Sequence, residues 1–147
     1  MSQIPSAGRI LALDWGELRI GVALSDKTQL LSSPLTTLVR RQGKRFPMPP
    51  FLALVEEHHP VGILVGLPLG LDGGENDHSI AARELAAQVK TRSGLPVELW
   101  DERLSTVVAL RSIREQEGST RGRKDEVDSL AASVILQHFL DTRRPRL

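Results

Sequence analysis

The chain has no cysteine and no tyrosine, and its aromatic residues are three Phe and two Trp in 147 positions. The absence of cysteine excludes disulfides, thiolate chemistry and Cys-based zinc sites. So few rings argue against a single-strand binder built from stacking platforms. No apolar run approaches the roughly 20 residues of a membrane helix, and the opening MSQIPSAGR lacks the apolar stretch of a secretory leader. A cytoplasmic chain with no membrane association is expected. Excess charge is also lacking, with 19 Lys and Arg against 18 Asp and Glu for a net +1. The charge is unevenly spread, however. Positive residues gather in Arg40–Arg45 (RRQGKR) and again at Arg111, Arg114, Arg121, Arg123 and Lys124. Such clusters fit either a polyanionic partner or a solvated loop. With 40% hydrophobic and 25% charged residues the composition is that of an ordinary globular protein, and its length fits one domain over residues 1–147.

The strongest pattern is RILALDWGELRIGVALSD, Arg9 to Asp26. Ile10–Leu13 is a continuous apolar run, as in a strand covered on both faces. It ends on Asp14, a turn follows at Trp15-Gly16, and Ile20–Leu24 is apolar again, which predicts a hairpin. Ser33-Pro34 reads as a turn and Leu35–Val39 as a third strand, completing an antiparallel meander. Arg40–Pro50, basic and rich in proline, reads as a loop. Phe51, Leu52, Leu54 and Val55 predict a helix ending near His58-His59-Pro60. The adjacent histidines point to different sides of that helix end and are read as its terminus, not as a metal pair.

Val61–Leu67 predicts a second buried strand, and Pro68–Gly74 a glycine-rich loop at its carboxyl end. A helix is expected over Ser79–Arg92 with Ile80, Leu85 and Val89 on its inner face, stopped by Gly94. Pro96–Trp100 is a further strand, ending in Asp101-Glu102-Arg103. Leu104-Ser105-Thr106 then opens a helix carrying Val107, Val108, Leu110 and Ile113. After the basic loop Glu117–Lys124, a last helix runs from about Asp125 to Asp141 with Val127, Leu130, Ala131, Val134, Ile135 and Leu136 inside. A meander followed by alternating strands and helices requires right-handed parallel crossovers. The predicted fold is α/β, a mixed five-stranded sheet (three-strand antiparallel meander plus parallel strands) with helices on both faces. That is the layout of the ribonuclease H-like fold.

In such a sheet, ligands gather at the carboxyl ends of the parallel strands. Asp14 stands at the end of the first strand and Asp101-Glu102 at the end of the last. Asp125 and Asp128, at i and i+3, share the first turn of the final helix. The helix dipole favours acids there, but Asp128 lies where the inward stripe begins. Neighbouring residues on a strand face opposite sides, so Asp101 and Glu102 cannot both point at Asp14, and either is a candidate. Three acidic sites at one edge repel one another unless cations intervene. Magnesium or manganese, as two ions, is the expected cofactor, because these ions prefer carboxylate oxygens and support phosphodiester hydrolysis. Arg19, Arg103, Arg121, Arg123 and Lys124 flank the acidic segments and are expected to contact phosphates.

These residues also resemble a family. Leu13-Asp14-Trp15-Gly16 with Arg19–Ala23, Val65–Leu69 with Asp72-Gly73, Asp101–Thr106 and Val127–Ala132 match in order the motifs of the YqgF family. Its members are the Holliday junction resolvase-like or pre-16S rRNA nuclease proteins of the ribonuclease H-like superfamily. The resemblance covers nearly the whole chain. It implies a nuclease related to RuvC-type resolvases, with catalytic and metal-binding carboxylates at Asp14, at Asp101 or Glu102, and at Asp128. Asp125 is a further candidate ligand. The family usually has small or basic residues after the first glycine of that turn; this chain has Glu17 and Leu18. The expectation is a metal-dependent endonuclease acting on structured nucleic acid, either pre-16S rRNA at its 5′ end or branched DNA of the Holliday-junction type. A monomer or weak homodimer is expected. The competing reading is a non-catalytic nucleic-acid-binding or ribosome-assembly factor with the same fold. An actin-like or sugar-kinase-like ATPase is disfavoured, since those enzymes close two such domains around a cleft.

Overall fold

The computed structural model describes residues 2–40, 45–107 and 124–144, with 124–126 described by their backbone alone. Strands β1 (Ile10–Asp14), β2 (Arg19–Ser25) and β3 (Ser32–Val39) are followed by helix α1 (Met48–His58) and strand β4 (Gly62–Leu67). Helix α2 (Asp77–Ser93), strand β5 (Val97–Asp101), a short 3-10 turn (Glu102–Leu104) and helix α3 (Lys124–Arg143) complete the order. The five strands form one sheet in the order β3-β2-β1-β4-β5. β1–β2 and β2–β3 are antiparallel, whereas β1–β4 and β4–β5 are parallel. The expected meander, the parallel half and the central position of the Asp14 strand are all present.

Every residue of β1 is buried, because helices cover both faces of the sheet. Leu11 and Leu13 pack with Phe51 of α1 and with Ala82, Leu85 and Val89 of α2. Ile10 and Ala12 pack on the opposite face with Ala131, Ile135, Leu136 and Phe139 of α3. Strand alternation therefore assigns Asp14, two residues after Ala12, to the α3 face. α3 lies across β1, β2 and β3, and at the far edge Phe139 meets Trp100 of β5 edge to face, at 5.2 Å between ring centres. Among the described residues no helix is long and apolar enough to cross a membrane.

Several local expectations are corrected. Ser33 and Pro34 are not a turn but part of β3, with Pro34 opposite Ala23 where the register shifts. An edge strand tolerates proline at such an irregularity, since the missing N–H interrupts no inner ladder. Residues 48–50 are helical, not loop, because Pro49 and Pro50 fall in the first turn of α1, where a helix has no use for their N–H. Ile80 is 49% exposed, and Ala82, Leu85, Ala86 and Val89 make the inner face of α2 instead. Leu130 is likewise turned outward while Ala131 and Ala132 are buried. The chain leaves β5 through the 3-10 turn, and helical structure resumes at Val107, as expected from the Leu104-Ser105-Thr106 opening. The expected helical residues Val108, Leu110 and Ile113 lie outside the described residues.

The true β2–β3 turn is built on Asp26. Its carboxylate accepts the N–H groups of Leu30 (2.8 Å) and Leu31 (3.1 Å) and the hydroxyl of Thr28. The turn is tied to α3 through Gln137, which accepts from the Ser32 N–H (2.8 Å) and donates to the Leu30 carbonyl (3.0 Å). The Thr28 hydroxyl, followed by the backbone N–H donors, holds the Asp26 carboxyl below its ordinary pKa. A depressed folded-state pKa means that this contribution is complete above the unfolded value and is lost as pH falls through the folded one. Asp26→Ala is expected to lower stability by about 1 kcal/mol at neutral pH and by almost nothing under strongly acidic conditions. Denaturant titrations at the two pH values check this.

Candidate active site

The site begins with two glycines. Asp14 pairs directly with Gly21 on β2, and on its other side Gly66 of β4 stands one residue beyond the Leu13–Val65 pair. A side chain at either position would be blocked. A Cβ on Gly21 would lie 2.0 Å from the backbone oxygen of Asp128, and one on Gly66 would lie 2.7 Å from the Glu102 Oε1 and 3.0 Å from the Ile135 Cδ1. α3 thus rests its Asp128 backbone on one neighbour of Asp14, and the Glu102 carboxylate lies over the other. Three elements distant in sequence converge at the carboxyl end of the central strand.

The middle acids divide as alternation requires. Asp101, the last residue of β5, turns to Arg103, whose Nη2 and Nε donate to the carboxylate at 2.7 and 3.1 Å and whose backbone N–H donates at 3.0 Å. The Arg103 guanidinium holds the Asp101 carboxyl below the usual carboxylate range, and is itself raised. Glu102 opens the 3-10 turn and is 2% exposed, comparable to Asp14 at 5%. Glu102 is therefore the inward carboxylate and Asp101 the one that shapes the turn. Among the described residues, no three carboxylate or imidazole side chains stand close enough to hold one ion between them.

Arg103 also donates from Nη1 to the Leu71 carbonyl at 3.3 Å, bridging the end of β5 to the glycine-rich loop after β4. That loop is closed on itself by Gly73 N–H to Gly70 O (2.8 Å), Gly70 N–H to Gly74 O (2.9 Å) and Gly74 N–H to the Asp72 carboxylate (2.9 Å). The first of these places Gly73 at φ +88°, where a side chain would be strained. Arg19 opens β2 opposite Val39 and, two residues before Gly21, lies on the Asp14 face by alternation. Lys124 and Asp125 are the first two residues of α3, and their side chains lie outside the described residues, as do Arg121 and Arg123.

Sequence reasoning passed over Gly21 and Gly66, although a glycine inside an apolar strand is itself a sign of close backbone approach. It also passed over the second face of the turn after Asp14. There Trp15 meets His78 edge to face at 5.1 Å and carries the Arg40 guanidinium 5.3 Å from its ring centre. Arg40 is anchored by donating to the Glu17 carbonyl at 2.8 Å, and Glu17 reaches His78 at 3.5 Å.

The sequence pattern of the family described as "RuvX: Holliday junction resolvase" matches residues 8–142. A protein of Koribacter versatilis named "Putative pre-16S rRNA nuclease" is 44% identical over 141 residues, 95% of this chain and 92% of the relative. One of the same name from Myxococcus xanthus is 40% identical over 137 residues, covering 93% and 90%. Among solved structures, Thermus thermophilus RuvC superposes with a TM-score of 0.56 at 13% identity, over 92% of this chain and 95% of that one. RuvC from the same organism in complex with a Holliday junction gives 0.54 at 14% identity, with the same coverage. At that identity the likeness concerns the fold, which is ribonuclease H-like. The match runs from the residue before Arg9 to the last turn of α3, through every segment that builds the site, and the chain belongs to the RuvX (YqgF) family.

Proposed function

We propose that this protein is a metal-dependent endonuclease that hydrolyses phosphodiester bonds in structured nucleic acid, with immature 16S rRNA or a branched DNA junction as its substrate. One observation carries the reading: the elements that bear Asp14, Glu102 and Asp128 come together at the end of β1, where glycines on both neighbouring strands let the Asp128 backbone and the Glu102 carboxylate approach closely. The names of the RuvX relatives support the same reaction class.

Asp14, Glu102 and Asp128 would between them hold two divalent cations, no ion taking all three carboxylates, with Asp125 from the same turn as Asp128 as a further donor. The donor set is all carboxylate, which suits magnesium or manganese. Magnesium keeps several waters and usually takes one or two carboxylates plus substrate phosphate, so each ion would need only part of this set. Such ions, when bound, supply Lewis acidity at a phosphoryl oxygen and a more acidic water. The chain's own part is to exclude bulk water through the α3 cover and to fix Glu102 through the Asp101–Arg103 turn. Arg19, Arg103, Arg121, Arg123 and Lys124 would meet the phosphates on either side of the cut.

Cleavage of an rRNA fragment carrying its 5′ extension, and of a four-way DNA junction, tests the reaction in magnesium, in manganese and in chelator. Glu102→Gln is expected to lower the rate at least about a hundredfold, whereas Asp101→Asn, which acts only through the turn, costs about tenfold. Equal losses would remove the distinction between the two acids. No cleavage of either substrate with either metal would leave a nucleic-acid-binding protein without turnover.

A further inference from the structure

The α1–α2 face of the sheet, opposite the carboxylates, contains a cleft of about 720 Å³. That volume lies within the range of small-ligand sites, roughly 300–1,000 Å³. Its lining combines two chemistries. Trp15, Phe46, Met48 and Leu85 supply an apolar and aromatic floor. Three arginines, Arg40, Arg45 and Arg92, line it together with a single carboxylate residue, Glu84. Along α2, Glu84, Gln88 and Arg92 follow one another at four-residue spacing, so one stripe of the helix presents an amide and a cation to the cleft.

An apolar and aromatic lining with an excess of guanidinium groups matches an unpaired nucleotide, whose base has an apolar face and whose phosphate is anionic. An amide within reach offers a hydrogen-bonding partner to a base edge. The position adds the decisive element. Trp15 is the residue after Asp14, so about 3.8 Å of backbone separates the Cα atoms of the two sites, one on each face of the sheet. A strand crossing the carboxyl edge of the sheet passes from the carboxylates to the cleft without leaving the protein surface. Arg40, held over the Trp15 ring by the Gly16 and Glu17 carbonyls, marks the crossing.

We infer that this cleft binds an unpaired nucleotide of the strand being processed, its base against Trp15 and Phe46, with Arg45 and Arg92 on its flanking phosphates. The inference builds on the nuclease reading, since it specifies a substrate with a single-stranded tail beside the cut. It also explains how a chain so poor in aromatics still recognises an unpaired base, by spending two of its few rings in one place.

Binding is measured on the Asp14→Asn protein, so that nothing is cut, with a blunt duplex and the same duplex carrying a short single-stranded tail, in RNA and in DNA. Arg45→Ala with Arg92→Ala is expected to weaken the tailed duplex about tenfold and the blunt one less than about twofold. Both arginines are exposed, so folding is not at stake. In a Trp100→Phe background, Trp15 is the remaining tryptophan, and the tail is expected to quench its emission. Whichever tail binds more tightly identifies the strand. Equal weakening of both duplexes, no weakening, an unresponsive Trp15, or displacement of the tail by polyglutamate would overturn the inference. A wild-type protein that cuts nothing would end the nuclease reading while leaving this measurement intact.

Discussion

Purified Asp14→Asn protein is expected to lose cleavage by about a thousandfold or more while retaining its fold and most of its affinity for substrate. The substitution preserves shape and volume, and its circular dichroism should match wild type. It removes one negative charge from the point where β1, the Glu102 turn and α3 meet, and charge stabilisation at a reacting phosphate is the largest single contribution such a site makes. Affinity rests on arginine and lysine contacts to many phosphates, so it should fall with salt at nearly the wild-type slope. In chelator the melting temperature should stay equal or rise slightly, because a neutral amide replaces a buried negative charge. Asp128→Asn should behave similarly. Asp125→Asn should matter less, since an acid in the first turn of α3 is already favoured by the helix dipole. Wild-type cleavage by Asp14→Asn would end the proposed mechanism in favour of binding without turnover.

The features legible in the sequence were those written in long apolar patterns. The all-apolar run Ile10–Leu13 marks a strand covered on both sides, and the turn after it fixes the hairpin. Asp14 stood out because it follows that run directly. The choice between Asp101 and Glu102 was not legible. Strand alternation separates the two, but only the packing of Trp100 against Phe139 of α3 tells which face is which and so puts Glu102 on the inward side. Proline misled twice for the same reason: it punctuates most sequences, yet an edge strand at Pro34 and a first helical turn at Pro49 and Pro50 accommodate it. Ile80 and Leu130 fitted an apolar stripe by spacing, but each helix meets the sheet through smaller residues. Alanines at 82, 86, 131 and 132 allow the close approach. The cleft beside Trp15 could not be seen at all, because α2 and the stretches around Trp15 and Phe46 contribute to it from distant parts of the chain.

The two glycines give the sharpest separation of stability from activity. In Gly21→Ala the new methyl would stand 2.0 Å from a backbone oxygen of α3, and backbone cannot swing aside as a side-chain tip can. The helix must lift from β2 at its first turns, at a cost of about 3 kcal/mol. For a chain of this size that lowers the melting temperature by roughly 10 °C. Activity should fall with it, since Asp128 moves as well. In Gly66→Ala the obstacles are the ends of two flexible side chains, the Glu102 carboxylate at 2.7 Å and the Ile135 Cδ1 at 3.0 Å. Both can turn away, so stability should drop by only about 1 kcal/mol. Glu102, however, would no longer lie over the strand beside Asp14, and cleavage should decline at least about a hundredfold with little change in melting or binding. Melting curves and single-turnover rates on the two variants side by side make the comparison. A Gly66→Ala protein as active as wild type would mean that the position of Glu102 over β4 is a packing detail, and that Asp14 works without it.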